Sequence, residues 1–235
     1  MDAPHPADRP LGPVLDATAA RRPERVALDG RVVRLEPLDA AAHGPALWRH
    51  IRGADHVWDY LFDGPYPDEA GFAAGLAGKA ASADPLFWAI VDRGSGEAVG
   101  YATLMRFDAA HRSIEVGNIL FAPALQRTPG ATEAMALLAE YAFDGLGCRR
   151  YEWKCNALNA PSRAAAERLG FTFEGVFRQH MIVKGRNRDT AWYSMLDSEW
   201  PAARRAFELW TSPDNFDAGG RQRRSLAALR AAAGG

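Results

Sequence analysis

Residues 126–132, Gln-Arg-Thr-Pro-Gly-Ala-Thr, separate an extended stretch ending at Phe121-Ala122-Pro123 from an amphipathic run that continues to Leu146. A helix beginning there presents N–H groups without partners and the positive end of its dipole. Gly130 and Ala131 add little bulk, so an anion can approach the backbone without any basic side chain. The segment is no nucleotide P-loop, because no Gly-Lys-Ser/Thr follows, and it does not fit G-x-G-x-x-G. On these residues alone it is either a phosphate cradle or a plain strand-to-helix connector. Two further groups stand near it in the chain. Glu115 lies in the alternating segment SIEVGNI, either facing a cleft or paired on the surface with Arg112 or Arg106. Asn159 reads as a helix cap and Ser162 as a first-turn residue of the same helix.

The elements that must position these groups follow from periodicity. RVALDGRVVRLEPL predicts two strands around an Asp29-Gly30 type I′ turn. Helices are expected from Asp39 and from Asp68, each opening at an acidic cap. PLFWAIVDR, AVGYATLMRFD and SIEVGNILFA predict an antiparallel meander. Between about Gly130 and Leu146, Ala134, Leu137, Leu138, Tyr141 and Ala142 share one helical face. RRYEWKCN is a strand, APSRAAAERL a short helix stopped by Gly170, and residues 171–196 a hairpin around KGRNRD. A strand–helix–strand crossover inside the meander makes one parallel pair. The fold class is therefore mixed α+β: a mostly antiparallel twisted sheet, helices on both faces and a central parallel strand pair.

Composition narrows the function. With 235 residues and a net charge of −1, no sign-biased surface announces nucleic acid or membrane. The two cysteines, Cys148 and Cys155, flank RRYEWK without metal-ligand spacing, so no metal is expected and both thiols should be buried and reduced. The N-terminus MDAPHPADRPLGP lacks an apolar core and is not expected to be a secretory signal; the expected location is the cytoplasm. Residues 1–24 are expected to form a mobile or loosely docked arm, 25–201 the main domain and 202–235 a helical C-terminal extension.

Three stretches together resemble the GCN5-related N-acetyltransferase (GNAT) superfamily. QRTPGATEA is similar to its pyrophosphate loop, Q/R-x-x-G-x-G/A, with Gln126 first and Ala131 last. NALNAPSRAAAERLGFTFEG resembles the N-x-x-S…LGF signature of the RimJ/RimL-like branch, which acetylates ribosomal-protein N-termini. EVGNILFAPALQ resembles that branch's fourth strand. The resemblance spans about Arg25 to Pro201. It departs at Pro129, which stands where the loop has its first glycine and removes one N–H donor. A neighbouring group or Arg127 must replace it.

The resemblance implies acetyl-CoA as donor, held by Leu120, Phe121, Ala122, Gln126, Arg127, Thr128, Gly130, Ala131 and Thr132. Asn156, Asn159 and Ser162 would meet its pantetheine arm. Glu115 would be the general base and Ser162 the proton donor to the departing thiolate. His180 and Tyr193 are second-rank acid–base groups, whereas His111 belongs to an exposed turn. The acceptor amine, on a protein N-terminus or a small molecule, would lie between residues 55–67 and KGRNRD. Trp58, Tyr60, Phe62 and Tyr66 would wall it, with Glu115 at its floor, and Asp59 and Asp63 could attract a cationic amine. KGRNR is either a solvated loop or a site for an acidic acceptor or the cofactor's 3′-phosphate. A larger acyl donor such as succinyl-CoA, a non-catalytic acyl-CoA-binding module and a homodimer remain open alternatives.

Overall fold

The computed structural model describes residues 11–233. Strands β1 (Leu28–Asp29), β2 (Val33–Pro37), β3 (Leu86–Asp92), β4 (Ala98–Asp108), β5 (Ser113–Phe121), β6 (Arg150–Asn156), β7 (Thr172–Val183) and β8 (Arg186–Leu196) alternate with helices. These are α1 (Ala40–Ile51), α2 (Glu69–Ala81), α3 (Pro129–Glu140), α4 (Ala160–Leu169), α5 (Trp200–Thr211) and α6 (Leu226–Ala233). The strands form one sheet in the order β1-β2-β3-β4-β5-β6-β8-β7. Only β5 and β6 run parallel; every other pair is antiparallel. This is the expected mixed α+β architecture. No described helix is long and apolar enough to cross a membrane.

Each face of the sheet buries its own core. Leu47, Ile51, Trp58, Phe72 and Leu76 pack under α1 and α2 against Phe87 and Tyr101. On the opposite face Leu138, Ala142, Tyr151, Trp153, Trp200 and Phe207 bring α3, α4 and α5 onto the central strands. Local chemistry sets the helix starts. Asp39 accepts from Ala41 and Ala42 N–H at 2.8 Å, and Asp68 from Gly71 N–H at 2.8 Å. Gly170 ends α4 at φ +107, in the left-handed region open to glycine.

Several local expectations change. Asp29 pairs with Arg34, so the β1–β2 connection is longer than a two-residue turn. Glu133 of α3 dictates its shape, accepting from Arg31, Val32 and Val33 N–H at 2.9, 2.7 and 2.9 Å. The KGRNRD turn is tighter than expected: Lys184 and Gly185, at φ +50 and +72, make it alone, and Arg186 already belongs to β8. Helix α3 ends at Glu140 and continues as one π turn over Tyr141–Gly145. Helix α5 crosses the 201/202 boundary and buries Trp200, Ala203, Phe207 and Trp210.

Residues 1–10 of the expected arm lie outside the described residues. Residues 11–19 are exposed, and the chain docks from Ala20, whose N–H donates to Ala109 O at 3.0 Å. Cys148 and Cys155 are buried free thiols. Burial pushes the Cys148 thiol up to about 12, against the opposing field of Arg112.

Candidate active site

The site begins where a strand pair comes apart. β5 and β6 are paired from Ser113–Arg150 to Val116–Trp153, yet they continue to Phe121 and Asn156. On its other side β5 carries a bulge, three steps of β5 (Gly117 to Leu120) opposing two steps of β4 (Tyr101 to Thr103), with Asn118 at φ +45. A bulge bends its strand, and here the bend turns β5 away from β6. The resulting wedge opens into a cleft of about 980 Å³ that runs from the α3 N-terminus to Glu115. Residues 117–121 and 154–156 thus bring strand edges without a strand partner to the cleft, and such backbone groups need one.

At one end stands the loop entering α3. Thr128 caps the helix: its Oγ1 accepts from Ala131 N–H at 3.3 Å and donates to Leu125 O at 2.7 Å. Pro129 occupies the first helical position, where an N–H has no intrahelical partner anyway. Gln126, Arg127, Thr128, Ala131 and Thr132 line the cleft. Gly130 does not. A Cβ on it would meet Val33 Cγ1 at 2.8 Å and Leu125 Cδ1 at 3.3 Å, so its lack of a side chain serves the packing of α3 on β2. Nor do the side chains of Leu120 and Ala122 line the cleft. Strand alternation turns both into the core under α1 and α2, while Ile119 and Phe121 face the cleft. A cation that sequence reading missed completes this end. Arg168 of α4 donates to Thr132 Oγ1 at 3.0 Å and lies 4.9 Å from the Trp210 ring centroid. Phe216 and Gln222 of the C-terminal segment extend the wall.

Along the β6–α4 side, Asn159 caps α4 as expected, accepting from Ser162 N–H at 3.1 Å. Asn156 Oδ1 accepts from Leu158 N–H at 2.9 Å. Ser162 Oγ accepts from Trp153 Nε1 at 3.0 Å. An indole N–H only donates, so the serine keeps its own proton to give. It also faces the Cys155 thiol, whose pKa burial pushes up and this contact partly brings back. All three residues line the cleft.

At the far end Glu115 is buried rather than surface-exposed, and Arg106, not Arg112, is its partner. Its Oε2 accepts from Arg106 Nη1 at 2.7 Å and meets Lys154 Nζ at 2.8 Å. Oε1 lies on the side of Gly117, toward the cleft. A bulge in β4 holds Arg106 at φ +51 and aims it here. Lys154 also bridges to Glu152 Oε2 at 2.7 Å and sits 3.9 Å over the Trp192 ring centroid. Burial raises the pKa of Glu152, but hydrogen bonds from Lys154 and Arg150 outweigh it and leave that carboxyl below its ordinary value.

The aromatic wall divides. Tyr60 and Phe62 line the cleft, and the Tyr60 hydroxyl donates to Leu158 O at 3.2 Å. Trp58 and Tyr66 do not line it. Trp58 is 2% exposed and packs edge-on against Tyr66 and Phe72, with ring centroids 5.3 and 6.3 Å away. Tyr66 donates to Asp63 at 2.6 Å; burial first, and that bond second, raise its phenol's pKa. Asp63 is further paired with Lys79, which leaves Asp59 as the carboxylate of this segment at the cleft. The β7–β8 hairpin reaches over, Lys184 Nζ donating to Trp58 O at 2.8 Å. His180 bonds Thr190 instead, and Tyr193 is buried between Arg163 and Glu167; neither lines the cleft. His111 is exposed. Lys154 and Arg168 are the site cations that sequence reasoning did not single out; Arg106 entered it only as a surface partner of Glu115, and Arg188 only within the KGRNR run. Strand alternation from Lys154 to Asn156 was the signal that could have found the first.

Known proteins share this arrangement. A family model described as an acetyltransferase (GNAT) domain matches residues 33–172. The crystal structure of a GCN5-related N-acetyltransferase from Brucella melitensis is 50% identical, covers 91% of this chain and 98% of its own, and superposes with a TM-score of 0.89. A protein of Chromobacterium violaceum assigned to the GNAT family is 45% identical over 83% of this chain and 99% of its own, with a TM-score of 0.76. YdaF of Bacillus subtilis, provisionally named a ribosomal N-acetyltransferase, is 33% identical over 105 residues, 45% of this chain. The chain spans 57% of the length of that curated relative and 61% of the N-acetyltransferase YoaA. With the split strand pair, the loop at α3 and the α4 signature all present, the chain belongs to the GCN5-related N-acetyltransferase family and resembles its RimJ/RimL-like branch.

Proposed function

We propose that this protein transfers an acyl group, acetyl before larger ones such as succinyl, from coenzyme A to a primary amine. The observation that carries the reading is the wedge between β5 and β6, which joins an anion-binding helix start to a buried carboxylate. The residues fit the cofactor. The α3 N-terminus, Arg127 and Arg168 offer donors for phosphate, and the unpaired strand edges offer backbone partners to an amide-bearing arm. When bound, acyl-coenzyme A would supply the acyl group as an activated thioester, and coenzyme A would leave as the free thiol.

The chain's own residues then position and move protons. Glu115 Oε1 takes the proton of the acceptor amine, directly or through water, while Arg106 and Lys154 hold Oε2 and fix the carboxylate's orientation. Ser162 Oγ, oriented by Trp153, gives its proton toward the end of the cofactor arm. Tyr60 and Phe62 wall the acceptor end, where the hydrogen bonds Tyr60–Leu158 and Lys184–Trp58 tie residues 55–67 to the start of α4 and to the β7–β8 hairpin. The acceptor is a small amine or the first residue of a chain.

Calorimetry with coenzyme A and thiol release from acetyl-CoA, across a panel of amines, tests the proposal. Binding with turnover is the expected result. Binding without turnover on any amine would assign the fold to a non-catalytic acyl-CoA-binding module, and no binding would remove the reading.

A further inference from the structure

Arg188 is a guanidinium that the fold buries without giving it a carboxylate. It is 7% exposed, and its Nε donates to Thr190 Oγ1 at 3.3 Å. Its Cζ lies 5.2 Å from the Phe62 ring centroid, at the acceptor end of the cleft. Glu115 attracts it and Arg106 opposes it, but the Glu115 oxygen that binds cations is already shared by Arg106 and Lys154. No ion pair to Arg188 forms among the described residues. Burial accordingly depresses its pKa, with the fields of Cys155 and then Glu115 only partly restoring it.

A buried cation that lacks a counter-ion is costly, and a protein that keeps one commonly uses it. The guanidinium presents a planar fork of donors that fits an oxyanion in bidentate fashion. The cofactor's phosphates have their own donors at the opposite end, around the α3 start, Arg127 and Arg168. The anion for Arg188 must therefore come with the acceptor. Resting on the N-acyltransferase reading, we propose that Arg188 binds a carboxylate of the acceptor, so that the substrate amine carries a carboxylate close by. A free amino acid supplies it from its own carboxyl group; a peptide supplies it from an acidic side chain next to its N-terminus.

The test uses the full chain saturated with coenzyme A. Calorimetric titration compares an N-acetyl amino acid with its amide, and N-acetyl-Ser-Asp-amide with N-acetyl-Ser-Asn-amide, as probes of the acceptor subsite. The acid form in at least one pair should bind about 10- to 100-fold tighter, the effect of one charge-assisted hydrogen-bonded contact. The pair that shows it identifies the source. Arg188→Gln should abolish the difference, Arg188→Lys should retain part of it, and coenzyme A affinity should stay unchanged in both. Arg188→Gln should also raise the Tm of the unliganded protein, because an uncompensated buried charge is removed; a purely structural arginine would lower it. Equal affinity for acid and amide in both pairs, absence of binding included, overturns the proposal. Because these are binding measurements, a protein that discriminates acid from amide but turns over no amine would refute the transferase reading and leave the carboxylate subsite standing.

Discussion

Glu115→Gln separates two roles that fall on one carboxylate, counter-ion and base. The Glu115 side chain is 2% exposed and meets Arg106 at 2.7 Å and Lys154 at 2.8 Å. Removing one partner of a buried pair costs about 3–5 kcal/mol when the other charge is left stranded. Stranding here is incomplete. Lys154 keeps Glu152 at 2.7 Å, and Arg106 is 48% exposed and can be solvated. Glutamine also retains a neutral acceptor oxygen. The expected loss is therefore nearer about 2 kcal/mol, the range of charged hydrogen bonds, which for a chain of this length lowers Tm by about 4–8 °C. Turnover should fall far more, by about 10²–10⁴-fold, the usual contribution of a general base. Thiol release at saturating donor and amine, measured well below the Tm, isolates the second effect; calorimetry should show coenzyme A affinity nearly unchanged. Full turnover in the folded variant at neutral pH, with only the Tm reduced, would refute the base assignment and leave Glu115 a counter-ion.

Three further outcomes are expected. Gly130→Val should lower the Tm and spare coenzyme A affinity, because the first added carbon meets Val33 Cγ1 at 2.8 Å and overpacking costs about 1–3 kcal/mol; weakened binding in the folded variant would return Gly130 to the phosphate cradle. Arg168→Ala should weaken coenzyme A about 10- to 100-fold by calorimetry, the loss of a charged phosphate contact; an unchanged Kd would make Arg168 only a support for Thr132 and Trp210. The third concerns acid stability. Glu152 and Glu174 are held below the ordinary carboxylate value by hydrogen bonds, chiefly from Lys154 and Arg150 against burial for Glu152, and from Arg150 for Glu174. Groups depressed in the folded state stabilise fully above the unfolded value of about 4.3, and that stabilisation disappears as pH falls through the folded values. Denaturant unfolding should therefore show stability declining below about pH 4.3, with Glu152→Gln flattening the decline; an identical acid limb in that variant would remove Glu152 from the account.

What was legible in the sequence was local. Asp39, Asp68 and Asn159 cap helices because a short polar side chain can reach an N–H two or three residues ahead, a relation written within a few positions. The meander, the crossover and the parallel pair follow from period-2 and period-3.6 patterns in the same way. What was not legible depends on which surface each side chain meets. Trp58, Tyr60, Phe62 and Tyr66 look alike as a string of aromatics. Yet Trp58 is drawn into the core by Phe72 of the next helix, while Phe62 is turned out beneath Arg188 of β8, far along the chain. Gly130 reads as an open cradle until β2 is brought against it.

The charges of the site follow the same logic at longer range. Glu115 and Arg106 come from neighbouring strands of the meander, Lys154 from the far side of the crossover, and Arg188 from the last hairpin. No motif could mark them as one constellation, because only the sheet order β4-β5-β6-β8 sets their side chains together. That order also explains their unequal partners. Glu115 sits where β5 and β6 are still paired, so cations from both sides reach it and it is answered within the fold. Arg188 lies beyond Thr190, the last β8 residue that pairs with β6, and there the sheet offers it no carboxylate. β6 ends at Asn156, opposite Thr190, and the cation two residues beyond is thus left unanswered. An acceptor that brings its own carboxylate would complete at Arg188 what the sheet completes at Glu115.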